Sequence, residues 1–493
     1  MSLPTPSTEQ LKASNEALES LPGYTKHEPG AGEFAVLDPS TEERIATLPD
    51  LSAADAISEV AIADQSGRIW AKTSPRHRSD ILHNVYFVLI ANKQRLAYVI
   101  SREMGKALIE AQGEVQYAAD YVRWYADELL RPGGGYRENP AGGSTILTKR
   151  APVGLALLIA PWNFPMAMIT RKIAPAIAAG CASIIKPSEL TPLTTLLTVE
   201  LMVEAGVPRE LIRVITTTQP SAFSEAVLSD PRVRKISFTG STSVGSTLMG
   251  LAAKNIVKSS MELGGNAPLI VFDDADLERA VEGTILAKLR NGGQSCVAAN
   301  RIYVQDGIAD AFVEALSEKM SQMVLGNSIA QGVNLGPVIN RRAVNNFQRL
   351  VDDAIARGAE LRTGGIAPES AGYFYEATVL DRVPSDAAIS NTEIFGPIAA
   401  ISRFSTQEEV VRRANDTPFG LAGYVFTENL DRALNVADEL ETGLVGINNG
   451  IPSSPAAPFG GMKQSGLGRE GSHEGLEEYQ EIRFYNIARR VTR

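Results

Sequence analysis

The stretch LALLIAPWNFPMAMITRKIAPAIAAGCASIIK, residues 155–186, decides the fold. Leu155–Ala160 is apolar throughout, without the alternation of a half-exposed strand. Met166–Ala179 is a helical run, and Cys181–Lys186 reads as a second apolar strand. The rhythm continues with strands at Leu211–Thr216, Lys235–Phe238 and Ala267–Phe272. Helices at Leu193–Ala205, Phe223–Leu228 and from near Ser243 separate them. Apolar strands that alternate with helices imply a parallel sheet covered on both faces, so the chain is read as α/β.

Outward from this core, a second α/β series is expected after Glu262. Its helices are Asp276–Arg290, Ile308–Met323, Arg341–Arg357, Glu408–Ala414 and Leu430–Leu440, and its strands are Arg301–Val304, Ala399–Arg403 and Tyr424–Phe426. Toward the N-terminus the chain reads helical as far as Leu130. Ser52 caps one helix, Arg78–Leu96 forms another, and Glu103–Leu130 runs without proline. Tyr117, Tyr121, Trp124 and Tyr125 lie near one face of that last run, as packing residues do. Arg131–Gly143 breaks the pattern with Pro132, Pro140 and five glycines. Ser144–Lys149 is then a short strand, and Glu481–Ile487 is a late strand that can join it.

Composition excludes several classes. The 493 residues are 44% apolar and 21% charged, an ordinary globular balance. A net charge of −10 gives no general attraction to nucleic acid. Two cysteines, Cys181 and Cys296, cannot make a disulfide scaffold. Met1–Glu9 has neither the basic flank nor the apolar run of a signal peptide. Val153–Ile169, the longest apolar stretch, is short for a membrane span and holds Pro161, Asn163 and Pro165. A cytoplasmic protein with no membrane or nucleic-acid partner is expected.

Chemistry concentrates in a few segments. Gly240-Ser241-Thr242-Ser243-Val244-Gly245 follows a strand and opens a helix, where N–H groups and hydroxyls can meet a phosphate. Lys186-Pro187-Ser188-Glu189 follows another strand, at the end that faces the ligand crevice of a parallel sheet. Lys186 and Glu189 can hold ribose hydroxyls, and the carboxylate repels a 2′-phosphate, which favours NAD over NADP. Cys296 lies among small and polar neighbours in Asn291-Gly292-Gly293-Gln294-Ser295-Cys296, a setting for an exposed thiol in a cleft. Cys181 sits among alanines and isoleucines and reads as core. The histidines at 27, 77, 83 and 473 stand in no motif, so the base for a thiol is sought at Glu262, in Met261-Glu262-Leu263-Gly264-Gly265. No His/Cys cluster has zinc spacing, so no metal is expected. A thiol acyltransferase or hydrolase built on Cys296 would leave the two dinucleotide-like segments unexplained.

These segments, with Pro161-Trp162-Asn163-Phe164-Pro165 and Glu393-Ile394-Phe395-Gly396-Pro397, resemble the aldehyde dehydrogenase superfamily, most closely its succinate-semialdehyde dehydrogenases. The resemblance runs from about Glu33 to the C-terminus. It implies Cys296 as nucleophile, Glu262 as general base, and Asn163 with the Cys296 N–H as oxyanion hole. It implies cofactor contacts at Trp162, Lys186, Glu189, Gly240, Ser241, Glu393 and Phe395. Arg171, Arg290 and Ser453 match positions that bind a distal carboxylate, and arginine suits that task through its rigid fork. The implied reaction is NAD(P)-dependent oxidation of succinate semialdehyde to succinate through a thiohemiacetal and a thioester. Glutarate semialdehyde, or a general aliphatic or aromatic aldehyde, is the alternative. Some relatives carry a second cysteine two residues after the nucleophile; Ala298 stands there instead.

The implied fold is a Rossmann-type cofactor domain plus an α/β catalytic domain and a β oligomerisation arm. Residues 1–130 form the helical part of the cofactor domain and 150–262 its α/β part. Residues 263–463 form the catalytic domain. Residues 131–149 form the first part of the arm, and 464–493 are the C-terminal segment and the oligomerisation strand. The arm implies a homodimer or homotetramer.

Overall fold

The computed structural model describes residues 3–131 and 133–489. Met1 and Pro132, used in the reading above, lie outside the described residues. The quoted stretch forms strand Leu155–Ile159, helix Ala167–Ala179 and strand Ser183–Lys186. The two strands are fully buried and pair in parallel. Every residue of the helix between them is buried too, which explains why its sequence shows no polar face. Burial of each Leu or Ile there contributes about 1.5–3 kcal/mol.

These strands sit in a six-stranded sheet. Its order is Gly466–Leu467, Lys258–Glu262, Val233–Thr239, Leu155–Ile159, Ser183–Lys186, Ile212–Val214. All pairs are parallel except the first, where the short strand from the C-terminal part runs antiparallel to Lys258–Glu262. A seven-stranded sheet follows in the order Glu360–Thr363, Thr378–Asp381, Ile398–Phe404, Ala299–Gln305, Ala267–Val271, Ala422–Phe426, Leu444–Ile447. Only its first pair is antiparallel.

Four expectations need correction. The helix expected over Arg78–Leu96 is broken at Asn92 into Pro75–Ala91 and Lys93–Met104. The strand at Ala267 belongs to the second sheet, not to the first series; its place in the first is taken by Lys258–Glu262, sequence KSSME. That strand carries little apolar signal, and the chain crosses between sheets within Leu263–Asn266. The run Glu103–Leu130 is two helices, because Gly105 takes a left-handed φ of 94° after Met104 and the next helix starts at Leu108. The N-terminal part also holds an antiparallel hairpin, Glu33–Leu37 with Arg44–Pro49, in a region read as helical.

Ser144–Pro152 and Gln480–Ala488 pair antiparallel along nine residues, with Gly135–Glu138 on the other edge. The short strand after the glycine-rich break and the late strand therefore meet as expected. No helix among the described residues is long and apolar enough to cross a membrane.

The two large sheets place the chemistry between them. Asn163, Lys186, Ser241 and Glu262 lie at or just beyond the carboxyl ends of strands in the six-stranded sheet. Cys296 and Glu393 lie just before strands Ala299–Gln305 and Ile398–Phe404 of the other sheet. The site is a seam where strands of one sheet end and strands of the other begin.

Candidate active site

A cavity of about 230 Å³ opens at this seam. Trp162, Asn163, Arg171, Gly240, Ser241, Arg290, Cys296, Glu393, Phe395 and Ser453 line it. Lys186, Glu189 and Glu262 are not on its wall. Residues from positions 117 to 459 converge here, so no local segment makes the site.

Cys296 is presented by an unusual turn. Asn291, Gly292 and Gly293 all have left-handed φ, at 58°, 60° and 76°. Gly293 is required: a Cβ would lie 2.1 Å from the Gly396 carbonyl oxygen. Gly265 meets the same turn from the facing sheet, where a Cβ would lie 2.5 Å from the Cys296 carbonyl oxygen. Burial pushes the Cys296 thiol up to about 12, Glu393 and Glu262 add to the rise, and Arg171 opposes it. Cys181, by contrast, is core, as read: it is buried against Tyr479 and its thiol is pushed up to about 11 by burial.

Asn163 Nδ2 donates to the Gln294 carbonyl at 3.0 Å, so its amide is tied to the turn that carries Cys296. A flipped amide would set oxygen against oxygen there. Glu262 is buried, and neither carboxylate oxygen has a hydrogen-bond partner. Burial, then Glu470, raises its proton affinity well above the usual carboxylate range, against Arg171, Lys172 and Arg469. Ionisation of this carboxyl is therefore disfavoured where it sits.

Glu470 is the residue the sequence reading missed. It pairs with both Arg171 and Lys172 and accepts from Ser237. Burial would raise it, yet Arg171 and Lys172 outweigh that and hold it low. A signal existed: Arg171 and Lys172 are the only charges in the buried helix Ala167–Ala179, and buried cations demand a carboxylate.

The two arginines are placed differently. The Arg171 guanidinium is committed to Glu470 and stacks 4.2 Å from the Phe459 ring centre. Arg290 stacks on Tyr117 at 5.3 Å and on Phe164 at 5.1 Å. Among the described residues no carboxylate lies within 4.0 Å of it, although its charge favours the ionised form of Glu110. Ser453 lines the same cavity from its proline-flanked loop.

The remaining residues suit an extended dinucleotide. Lys186 Nζ lies 3.4 Å from the half-exposed Glu189 carboxylate, a donor and acceptor for ribose hydroxyls. Ser241 caps helix Thr242–Ala253 and, with Gly240, lines the cavity, so a helix N-terminus of the kind that suits a diphosphate starts at its wall. Trp162 and Phe395 meet edge to face at 5.3 Å. Glu393 accepts one N–H, from Gly265 at 3.1 Å, and burial pushes its carboxyl up to about 7. A buried carboxylate with one donor has capacity for a sugar hydroxyl. No group of three or more metal-ligating side chains is assembled among the described residues.

A thiol beside an amide donor, with a buried carboxyl and strand-end polar segments nearby, is an arrangement suited to oxidising a carbonyl with a dinucleotide. Known proteins agree. The model of the aldehyde dehydrogenase family matches residues 24–485. A succinate-semialdehyde dehydrogenase of Paenarthrobacter nicotinovorans is 45% identical over 444 residues, 90% of this chain and 99% of that protein. A glutarate-semialdehyde dehydrogenase of Pseudomonas putida is 44% identical over 453 residues, covering 92% of this chain and 94% of its own. The crystal structure of a succinate-semialdehyde dehydrogenase from Burkholderia pseudomallei superposes with a TM-score of 0.91 at 44% identity, covering 93% of this chain and 95% of that one. The chain belongs to the aldehyde dehydrogenase family, enzymes that oxidise a small aldehyde with NAD or NADP.

Proposed function

We propose that this protein oxidises succinate semialdehyde to succinate. The observation that carries the reading is Arg290: a guanidinium stacked on two aromatic rings on the cavity wall, with no carboxylate in ion-pair contact among the described residues. A distal carboxylate supplies that partner through paired hydrogen bonds. Arg171 adds positive field from its pair with Glu470, and Ser453 adds a hydroxyl. The glutarate homologue, one methylene longer, is the second reading. It is favoured by the P. putida relative and by Pro452 and Pro455, which shape the loop around Ser453.

Cys296 attacks the aldehyde carbon, and its thiol proton passes to solvent, directly or through Glu262, which leaves Glu262 ionised for the later step. The carbonyl oxygen becomes an oxyanion, which Asn163 Nδ2 and the Cys296 N–H stabilise. Trp162 and Phe395 orient the nicotinamide, Glu393 its ribose, Gly240 and Ser241 the diphosphate, and Lys186 with Glu189 the adenosine ribose. A bound nicotinamide would supply the hydride acceptor by which the thiohemiacetal on Cys296 becomes a thioester. Glu262 takes a proton from water, whose oxygen attacks the thioester carbonyl. The C–S bond breaks, the carboxylate leaves, and the thiol is restored.

Glu189 near the adenosine ribose favours NAD over NADP. The exposed Tyr136, Ile482, Phe484, Tyr485 and Ile487 of the three-stranded arm support a homodimer or homotetramer. A thiol nucleophile fits the reducing cytoplasm.

Initial rates with succinate semialdehyde, glutarate semialdehyde, butanal and benzaldehyde, each with NAD and NADP, test this. The highest kcat/KM is expected for succinate semialdehyde with NAD. Equal or faster turnover of butanal would remove the distal carboxylate from the proposal.

A further inference from the structure

One buried charge cluster has no part in these steps. Lys106 and Glu114 are both 2% exposed and pair with each other. Lys106 lies in the break before helix Leu108–Glu128, and Glu114 lies within that helix. Burying two charges is unfavourable and, even when they pair, does little for stability, so their position invites another role.

Their contacts are specific. Lys106 Nζ donates to the Asn163 carbonyl at 2.8 Å. Glu114 Oε1 accepts from the N–H groups of Met166 at 2.9 Å and Ala167 at 3.2 Å, at the start of the helix that carries Arg171. Both ends of the short Asn163–Ala167 turn are thereby pinned. From the other side, Asn291 Nδ2 donates to the same Asn163 carbonyl at 2.8 Å and to the Gln294 carbonyl at 3.0 Å. The Gln294 carbonyl also receives Asn163 Nδ2. Each of two carbonyls accepts two donors, so both lone pairs of each are used. Glu110, one turn before Glu114, accepts the Asn291 N–H at 2.6 Å. One helix start thus holds two loops that are distant in sequence. One Asn163 N–H is spent on Gln294, which fixes the direction of the other.

We propose that Lys106 and Glu114 are positioning residues for the oxyanion hole: they hold the Asn163 amide at the spacing from the Cys296 N–H that a tetrahedral oxyanion requires. This rests on the roles proposed above for Asn163 and Cys296. Misplacement of a donor by about 1 Å costs on the order of 10²-fold in rate.

Two reactions of the same thiol separate positioning from general damage. Alkylation by iodoacetamide displaces iodide at a saturated carbon and develops no carbonyl oxyanion. Aldehyde oxidation does develop one. Lys106→Met and Glu114→Gln are expected to keep the Cys296 alkylation rate, read by mass spectrometry of its peptide, within about twofold. They should lower kcat for succinate semialdehyde on the order of 10²-fold with KM little changed. Lys106→Arg should recover part of that loss. Asn291→Gly, which keeps the left-handed turn and removes the side-chain donors, is expected to give the same split should the charge variants fail to fold. Equal loss of both reactions in the folded variants, or loss of neither, would overturn the positioning role. Full activity of wild-type enzyme after complete Cys296 alkylation would overturn the proposed mechanism and this role with it.

Discussion

Cys296 and Glu262 share one problem: burial disfavours the ionised form of each. In the proposed mechanism both act through the deprotonated form, so a raised proton affinity places the active form on the alkaline side. The expected outcome is a kcat/KM that climbs between about pH 6 and 9; a decline over that range would exclude the pair from these roles. Cys296→Ser should lower oxidation on the order of 10⁴-fold while NAD binding, read by calorimetry, persists. Glu262→Gln keeps the shape of the side chain but cannot take a proton from water. It should give a burst of reduced cofactor followed by a stall as the thioester accumulates. The arginines differ at this scale. Arg290→Ala removes the unpaired cation and should cut kcat/KM for succinate semialdehyde roughly 10–150-fold, corresponding to about 1.5–3 kcal/mol, and leave butanal nearly unchanged. Arg171→Ala also strips Glu470 of one partner, so a lower urea midpoint should accompany its kinetic defect.

At the scale of elements, the decisive feature is the turn before strand Ala299–Gln305. Three successive left-handed residues turn the chain so that Cys296 enters the seam. Gly293→Ala combines a strained φ with a collision against the Gly396 carbonyl. A loss of at least about 2 kcal/mol in urea unfolding is expected, with activity falling further than stability alone explains. The elements legible in the sequence were those whose residues agree with their surroundings. Leu155–Ile159 is apolar because both faces are covered, and that pattern is visible without coordinates. Lys258–Glu262 was not legible, because Lys258 bonds the carbonyls of Glu477 and Gln480, and Ser260 bonds Glu478. A polar strand satisfied by distant partners carries no periodic signal.

At the scale of the molecule, the arm stands apart. Strand Gln480–Ala488 is exposed along nearly its whole length, although it bears Ile482, Phe484, Tyr485 and Ile487. Apolar surface of this kind is covered by association. Ile482→Asp combined with Phe484→Asp should lower the assembly state in sedimentation velocity; an unchanged sedimentation coefficient would place the interface elsewhere.

The α/β class, many of the strands and helices, and the candidates for thiol, amide and acid follow from the sequence, because each depends on local pattern or on a short motif. Asn163, Glu262 and Cys296 stand in recognisable surroundings. The tertiary structure alone decided what those residues face. Glu470 lies 208 residues beyond Glu262 in the chain, yet both approach Arg171 and Lys172. Whether Arg171 meets a substrate or a protein carboxylate depends on that approach and on no local feature. Charges act through space over a few ångströms, and only the folded chain fixes those distances.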